Sequence, residues 1–344
     1  MIDSLKIDGS FGEGGGQVLR SSLTLSMVTG KPVHVINIRN GRAKPGLMRQ
    51  HLTALKAAAE VCGAEVQGHV VGSTEIRFSP GPIQGGHYDF AVGTAGSAGL
   101  VLQTVLPALL LAENTSTITV EGGTHNMASP PFDFLERCYL PAVEAMGPSL
   151  KVHLKQYGFY PVGGGRFTVN VTPVEQLRRV EFLESADCKR ILARSCVARI
   201  SKDICKRELE IVKEGLGLAE NDCSVEFDLP SPGPGNYLFV EVHSENALPA
   251  CFTAFGRKGV TAEQVAAKAV KDVKMFLDSG AVVERQLADQ LLLPMVLAGG
   301  GSFRTTKPSM HTLTNIEVIR QFIDLPIEIK QESEGVWRID LGKE

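Results

Sequence analysis

The chain has 344 residues, 43% apolar, 21% charged and 6% aromatic, with mean hydropathy near zero, the profile of a globular protein long enough for two domains. Lysine and arginine total 35 against 38 aspartates and glutamates, a net charge of −3. That balance excludes a globally basic nucleic-acid coat or a membrane-surface protein, so any polyanion site must be local. The longest apolar stretch, Leu100 to Ala112, is broken by Gln103, Thr104 and Pro107 and falls short of the roughly 18–20 residues of a membrane span. The opening MIDSLKIDGSFGEGGG has neither a basic nor an apolar leader region, so the sequence predicts no secretory signal and a cytoplasmic protein.

In chain order, Leu19, Leu23 and Met27 recur every four residues and predict a helix over Gln17 to Thr29. A second helix is expected to open at Pro45, with Met48, Leu52, Leu55, Ala59 and Cys62 facing a core and Arg49, Gln50 and Lys56 on the other face. An alternating strand follows at Glu75 to Pro80. The same order returns as a helical run from Gln103 to Ala112, a helix opened by Pro130-Pro131 and a strand at Arg166 to Pro173. It returns again as Gln290 to Ala298, a helix opened by Pro308 and a strand at Val336 to Leu341.

Self-similarity supports this reading. Gln103-Thr-Val-Leu-Pro107-Ala and Gln290-Leu-Leu-Leu-Pro294-Met align at a shift of 187 residues, and Gly16-Gln-Val-Leu-Arg20 begins a weaker third copy. Three α+β units result. About 95 residues, 186–281, have no matching copy and are expected to form an inserted small domain. It reads as strand Ile191–Ile200, helix Lys202–Leu216, a β-hairpin around Ser231-Pro-Gly-Pro-Gly235, and a helix with Val265, Ala269, Val273 and Phe276 inward. The expected domains are 1–185, 186–281 and 282–344, the first and last together forming the large domain. The seven cysteines contain no Cys-x-x-Cys pair and read as reduced, mostly buried thiols.

Three features carry chemistry. Gly12-Glu-Gly-Gly-Gly16-Gln17 leads into a helix, where glycines let backbone N–H groups approach an anion, although a plain tight turn fits equally. Glu13 within such a loop suits a divalent cation bridging a carboxylate to phosphates, or is a solvated turn acid. From Gly14 to Ala59 the chain has Arg20, Lys31, Arg39, Arg42, Lys44, Arg49 and Lys56 and no acidic residue. The Arg39 to Pro45 segment reads as a polyphosphate or RNA-backbone site, with a solvated basic face as the alternative. His311 falls on the first turn of a helix whose apolar positions are Leu313, Ile316, Ile319 and Ile323, with Ser309 as N-cap. A helix amino terminus attracts phosphate and favours a neutral imidazole, which can attack phosphorus.

Four ordered motifs, Gly12-Glu-Gly-Gly-Gly-Gln-Val-Leu-Arg20, Arg39-x-x-Arg42-Ala-Lys-Pro-Gly-Leu47, Gly158-Phe-Tyr-Pro-Val-Gly-Gly-Gly165 and Pro308-Ser-Met-His-Thr-Leu-Thr-Asn315, closely resemble those of the RNA 3′-terminal phosphate cyclases over nearly the whole chain. The resemblance implies an α+β (α/β) fold, a large domain of three units each pairing two helices with a four-stranded sheet, and a thioredoxin-like inserted domain. It implies ATP as co-substrate, Mg²⁺ or Mn²⁺, an RNA ending in a 3′-phosphate, and a ligase that forms a 2′,3′-cyclic phosphate through a histidine–AMP adduct. By motif, His311 matches the nucleophile and Glu13 the acid handling metal and ATP phosphates. Arg20, Arg39, Arg42, Gln50 and Gln103 match groups at the phosphates or RNA end. Asp289 and Gln290 fall at the adenosine pocket, with Pro131 in its wall, and Gln290 has a structural role in the internal repeat as its alternative. Two departures are Tyr157, where a basic residue is usual, and Gln286, where some members offer an aromatic to adenine. Readings from other classes are a non-catalytic RNA-binding or ribosome-assembly relative, against which the intact Pro-Ser-x-His-Thr motif argues, and a small-molecule transferase on the enolpyruvyl transferase architecture.

Overall fold

The computed structural model describes residues 4–184, 187–245 and 247–342. It is a mixed α+β fold with four four-stranded sheets. In the first sheet β1 (Leu5–Asp8) pairs parallel with β2 (Val33–Ile36), and β2 and β3 (Glu65–Gln67) both pair antiparallel with β4 (Ile76–Ser79). Helices α1 (Gly16–Thr29) and α2 (Arg49–Cys62) connect these strands. The second sheet repeats the pattern with β5 (His87–Ala91), β6 (Ser116–Gly122), β7 (Ser149–Gln156) and β8 (Gly165–Thr172), in the order β5-β6-β8-β7. Its helices are α3 (Ala98–Leu109) and a broken segment in which α4 (Phe132–Phe134) passes through a π-helical turn, Leu135–Tyr139, into α5 (Leu140–Glu144).

After β9 (Val180–Phe182) the chain leaves for a separate sheet made of β10 (Cys188–Ala198), β11 (Cys223–Glu226), β12 (Gly235–Ser244) and β13 (Ala250–Phe255), backed by α6 (Asp203–Leu216) and α7 (Ala262–Ser279). It then returns through α8 (Arg285–Leu297), β14 (Gly301–Thr305), α9 (Met310–Phe322), β15 (Ile327–Ser333) and β16 (Val336–Leu341). There β14 pairs parallel with β9 and antiparallel with β16, which pairs antiparallel with β15, so this sheet has the joint pattern of the first two. The expected boundary between 185 and 186 lies outside the described residues.

One large core runs beneath the first, second and β9-containing sheets, with Leu23, Leu55, Leu102, Val105, Leu291 and Ile319 fully buried, and it takes in Cys196, Ala198, Tyr237, Phe239 and Cys251 from one face of the β10-containing sheet. A second gathers Val212, Leu238, Val240, Ala266, Ala269 and Val273 between β12 and the helices α6 and α7. The expected inward residues of α7 are all buried, and among the described residues no helix is long and apolar enough to cross a membrane. All seven cysteines are free thiols, five of them buried.

Two local expectations are corrected. The helix after Pro45 begins only at Arg49, because Gly46 N donates to Ile38 O at 2.8 Å and Leu47 N to Ser73 O at 2.9 Å, holding this stretch out of the helix. Met48 is therefore a cap and 37% exposed, and the inward face centres on Ala54, Leu55, Ala57, Ala58 and Val61, packed against α1 and α3. The Ser231 to Gly235 turn closes no hairpin, because β11 and β12 flank β10 on opposite sides. The turn instead meets the Gly158–Gly165 segment: Tyr157 N donates to Pro230 O at 2.8 Å.

Candidate active site

The residues expected to do chemistry sit where α1, α3, α8 and α9 converge. Gly12 makes the close approach possible, since at φ +62° it lies so near α9 that a Cβ would fall 2.2 Å from Thr314 Oγ1. Gly16 likewise lets α1 meet α2, where a Cβ would fall 2.2 Å from His51 Nε2. Ser309 caps α9, its hydroxyl accepting from Thr312 N at 3.0 Å. His311 is thereby fixed on the first turn, half exposed.

Around His311 lies a cavity of about 420 Å³. Helix α1 supplies Gln17, Arg20 and Ser21, α3 supplies Gln103, and α8 supplies Arg285, Gln286, Asp289 and Gln290. Residues Met127 to Pro130 form the opposite wall. His311, Arg20, Gln103, Asp289 and Gln290 are thus brought together. Pro131 is not in the wall: it is buried as the cap of α4, and its neighbour Pro130 lines the cavity.

Glu13 reaches the site from the glycine loop. His311 Nδ1 is 2.6 Å from Glu13 Oε2 and 3.2 Å from Gln17 Oε1, and the latter contact has hydrogen-bond geometry. Arg42 donates to Glu13 Oε1 at 2.9 Å, while Glu13 Oε2 is buried and has no hydrogen-bond partner. Burial lowers the Arg20 guanidinium to about 10, opposed by the charges of Asp289 and Glu13. It remains cationic at neutral pH and forms no ion pair among the described residues. Burial pushes the Asp289 carboxyl up, while the charges of His311 and Arg20 and hydrogen bonds from Gln17 and Asn315 act against that rise.

Other expected site residues serve the framework. Arg39 donates to Lys44 O at 2.7 Å and Gly46 O at 2.9 Å, bracing its own loop. Gln50 accepts from Ser97 N, the cap residue of α3, at 3.0 Å. Neither lines the cavity. The sequence reading gave no role to Gln17, which links Asp289 to the histidine, or to Asn315, which donates to Asp289. Their spacing carried the signal, since Asn315 follows His311 by four residues and Gln17 precedes Arg20 by three, each pair sharing a helix face.

The Met127 to Pro130 wall is anchored at both ends. His125 Nε2 and Asp133 Oδ2 are 2.7 Å apart, Thr124 Oγ1 and His125 Nδ1 2.8 Å apart. Asp133 is also paired with Arg194 of β10, which binds Glu226 at 3.1 Å, and receives the Tyr237 hydroxyl at 3.3 Å. Tyr157 packs into the ring cluster of His125, Phe159 and Tyr237.

A sequence model of the RNA 3′-terminal phosphate cyclases matches residues 11–329. The chain belongs to the RNA 3′-terminal phosphate cyclase family. Relatives named RNA 3′-terminal phosphate cyclase include one from Koribacter versatilis, 50% identical and covering 96% of this chain and 93% of its own. Another, from Salmonella agona, is 45% identical over 98% and 97% of the two chains. A third, from Ectopseudomonas mendocina, is 44% identical over 98% of each. A solved enolpyruvyl transferase, NikO from Streptomyces tendae, aligns over 98% of this chain and 48% of that one at TM-score 0.37 and 9% identity. The four cyclase-like motifs thus belong to a member of that family.

Proposed function

We propose that the chain is an ATP-dependent RNA 3′-phosphate cyclase that works through a covalent His311–AMP adduct. The observation that carries this reading is the position of His311: on the amino-terminal turn of α9, at the mouth of a 420 Å³ cavity, with the cationic Arg20 in the wall and Glu13 2.6 Å away. Cavities of this size suit small ligands, and the unsatisfied N–H groups of a helix start suit phosphate.

His311 attacks the α-phosphorus of ATP and pyrophosphate leaves. The AMP then passes to the RNA 3′-phosphate, and the resulting anhydride gives the neighbouring 2′-hydroxyl a good leaving group. Ring closure yields the 2′,3′-cyclic phosphate and AMP. Each step is a displacement at phosphorus that needs chiefly positioning and charge neutralisation. Arg20 supplies charge inside the cavity, and Arg42 supplies it beside Glu13. Asp289, Gln290 and Gln103 shape the adenosine end. No group of three or more His, Cys, Asp or Glu side chains able to hold a metal occurs among the described residues. The orphaned Glu13 Oε2 fits Mg²⁺ or Mn²⁺ shared with substrate oxygens. Such an ion would neutralise phosphate charge. We read the three sheets with shared joints as copies of one unit, spanning 1–185 and 282–344, and 186–281 as an inserted domain.

The test is incubation with [α-³²P]ATP and Mg²⁺ or Mn²⁺, denaturation, and comparison of wild type with His311→Ala. Acid-labile, alkali-stable label on wild type alone supports the adduct, and cyclisation of a 3′-phosphorylated oligoribonucleotide completes the assignment. An unlabelled but folded wild type favours a non-catalytic RNA-binding role.

A further inference from the structure

Gln17 stands on the first turn of α1 between Asp289 and His311, and the reaction above assigns it nothing. Its side chain is fully engaged: Nε2 donates to Asp289 Oδ1 at 2.8 Å, and Oε1 lies 3.2 Å from His311 Nδ1. Chemistry sets the direction of the amide. Reversed, its carbonyl oxygen would face a carboxylate oxygen that already receives Asn315 Nδ2 at 3.4 Å. Asn315 is fixed in turn, since Ser21 Oγ donates to its Oδ1 at 2.7 Å and its Nδ2 donates to Asp289 O at 3.1 Å. The bonds therefore converge on Asp289, which accepts from Asn315 on one side and from Gln17 on the other. With an acceptor turned toward the ring, Nδ1 must carry the proton, and the neutral imidazole keeps its lone pair at Nε2.

Glu13 approaches the same nitrogen, but its Oε2 is the oxygen open to a dication. A carboxylate committed to a metal is a weaker acceptor for the ring, whereas the Gln17 amide oxygen stays in place through its bond to Asp289.

We propose that Gln17 is the positioning residue that holds the proton on His311 Nδ1 and so makes Nε2 the nitrogen that takes the adenylyl group. This rests on the adenylyl-transfer reading. In the step, the Nε2–P bond forms as the bond from the α-phosphorus to the α,β-bridging oxygen breaks. The electron pair leaves with pyrophosphate. The Nδ1 proton stays on the ring, and the positive charge the ring acquires lies against an amide oxygen oriented by Asp289.

The experiment uses the full chain labelled with [¹⁵N]histidine. Long-range ¹H–¹⁵N spectra at a pH where the ring is neutral report the His311 tautomer with and without Mg²⁺. Single-turnover labelling from [α-³²P]ATP reports the rate, and NMR of the adduct reports the substituted nitrogen. Wild type is expected to show the Nδ1–H tautomer in both conditions and substitution at Nε2. Gln17→Met, which removes the acceptor at similar length, is expected to lose that preference in Mg²⁺. Its adenylylation should slow by about tenfold to a hundredfold at saturating ATP, with KM for ATP within about twofold. Gln17→Glu keeps an acceptor oxygen toward the ring but sets its second oxygen against Asp289 Oδ1 in place of the amide donor, so it is expected to recover the tautomer but not the rate. An Nε2–H tautomer in wild type overturns the proposal even if the Met variant fails to fold. A Gln17→Met protein with wild-type tautomer and rate overturns it while leaving the adduct reading intact. A wild type that takes no label overturns both.

Discussion

Gln103 Nε2 donates to Gln290 Oε1, so the two glutamines that align across a 187-residue shift meet face to face and tie α3 to α8 in the cavity wall. Each helix carries a proline four residues further on, Pro107 and Pro294, and both prolines lie in the last turn or so of their helices. The duplicated run thus places the same amide on two facing helices. Gln103→Leu leaves the Gln290 carbonyl without its partner and is expected to cost about 1 kcal/mol of stability. Replacing both glutamines by leucine should cost less than the sum of the single changes. Denaturant unfolding of the four proteins without nucleotide measures this coupling, and strict additivity would show that the pair contributes nothing.

Glu13→Gln separates charge from shape. The Arg42 pair it weakens is partly exposed, with side chains 42% and 31% accessible, and such pairs contribute about 0–1 kcal/mol. Stability should therefore change little. Adenylylation should fall by about a hundredfold or more, since the proposed reaction would lose the carboxylate that is to hold its cation. Its dependence on Mg²⁺ concentration should flatten. A metal titration of single-turnover labelling decides the matter, and a wild-type Mg²⁺ curve in the variant would remove Glu13 from the cation's ligands.

Much of this architecture was legible because local and tertiary signals agree. The periodicity of Leu19, Leu23 and Met27 and the Ser309 cap specify α1 and the start of α9 without knowledge of neighbours. The start of α2 was misread because hydrogen bonds from Gly46 and Leu47 to residues on other segments outweigh the helix-starting tendency of Pro45. The Ser231 to Gly235 turn was misread for a related reason: turn residues specify a reversal of the chain but not which strand receives it. In the site, the place of His311 on a helix start singled it out, the family resemblance added Arg20 and Asp289, and the three do converge. Neither signal could show that Arg39 and Gln50 spend their polar atoms on loop and helix-cap bonds, because those partners are set by folding.

His51 should make the protein acid-sensitive. It is buried, accepts from Met48 N at 3.2 Å, and is held down to about 3 by burial and by the charges of Arg20 and Arg39. Unfolded, the ring takes a proton near 6.5, so below that pH the unfolded state binds the extra proton. Stability should fall as pH drops from about 6.5 toward about 3, by about 1.4 kcal/mol per pH unit from this group. His51→Gln keeps an acceptor and removes the titration. Its unfolding free energy, measured at pH 7, 5 and 4, should decline less steeply than that of wild type. Parallel curves would show that His51 does not control the acid limb.

Asp133 has the opposite sign. Burial works to raise its carboxyl, but the hydrogen bond and charge of His125 and the charge of Arg194 outweigh it and hold the group below its ordinary value of 3.8. Its stabilisation is therefore complete above about pH 4 and is lost as pH falls through the depressed folded value. Asp133→Ala strands His125 in the interior and takes from Arg194 a carboxylate that Glu226 replaces only in part. The expected loss is about 3 kcal/mol or more at neutral pH, as for other broken buried pairs. It should shrink in acid, where wild type loses the same carboxylate. Because the pair closes the base of the Met127 to Pro130 wall, ATP affinity should weaken together with stability. Unfolding at pH 7 and pH 3 and ATP titration of the folded variant test both halves. A variant with weakened stability but unaltered ATP affinity would show that the anchor holds β10 to α4 without shaping the cavity.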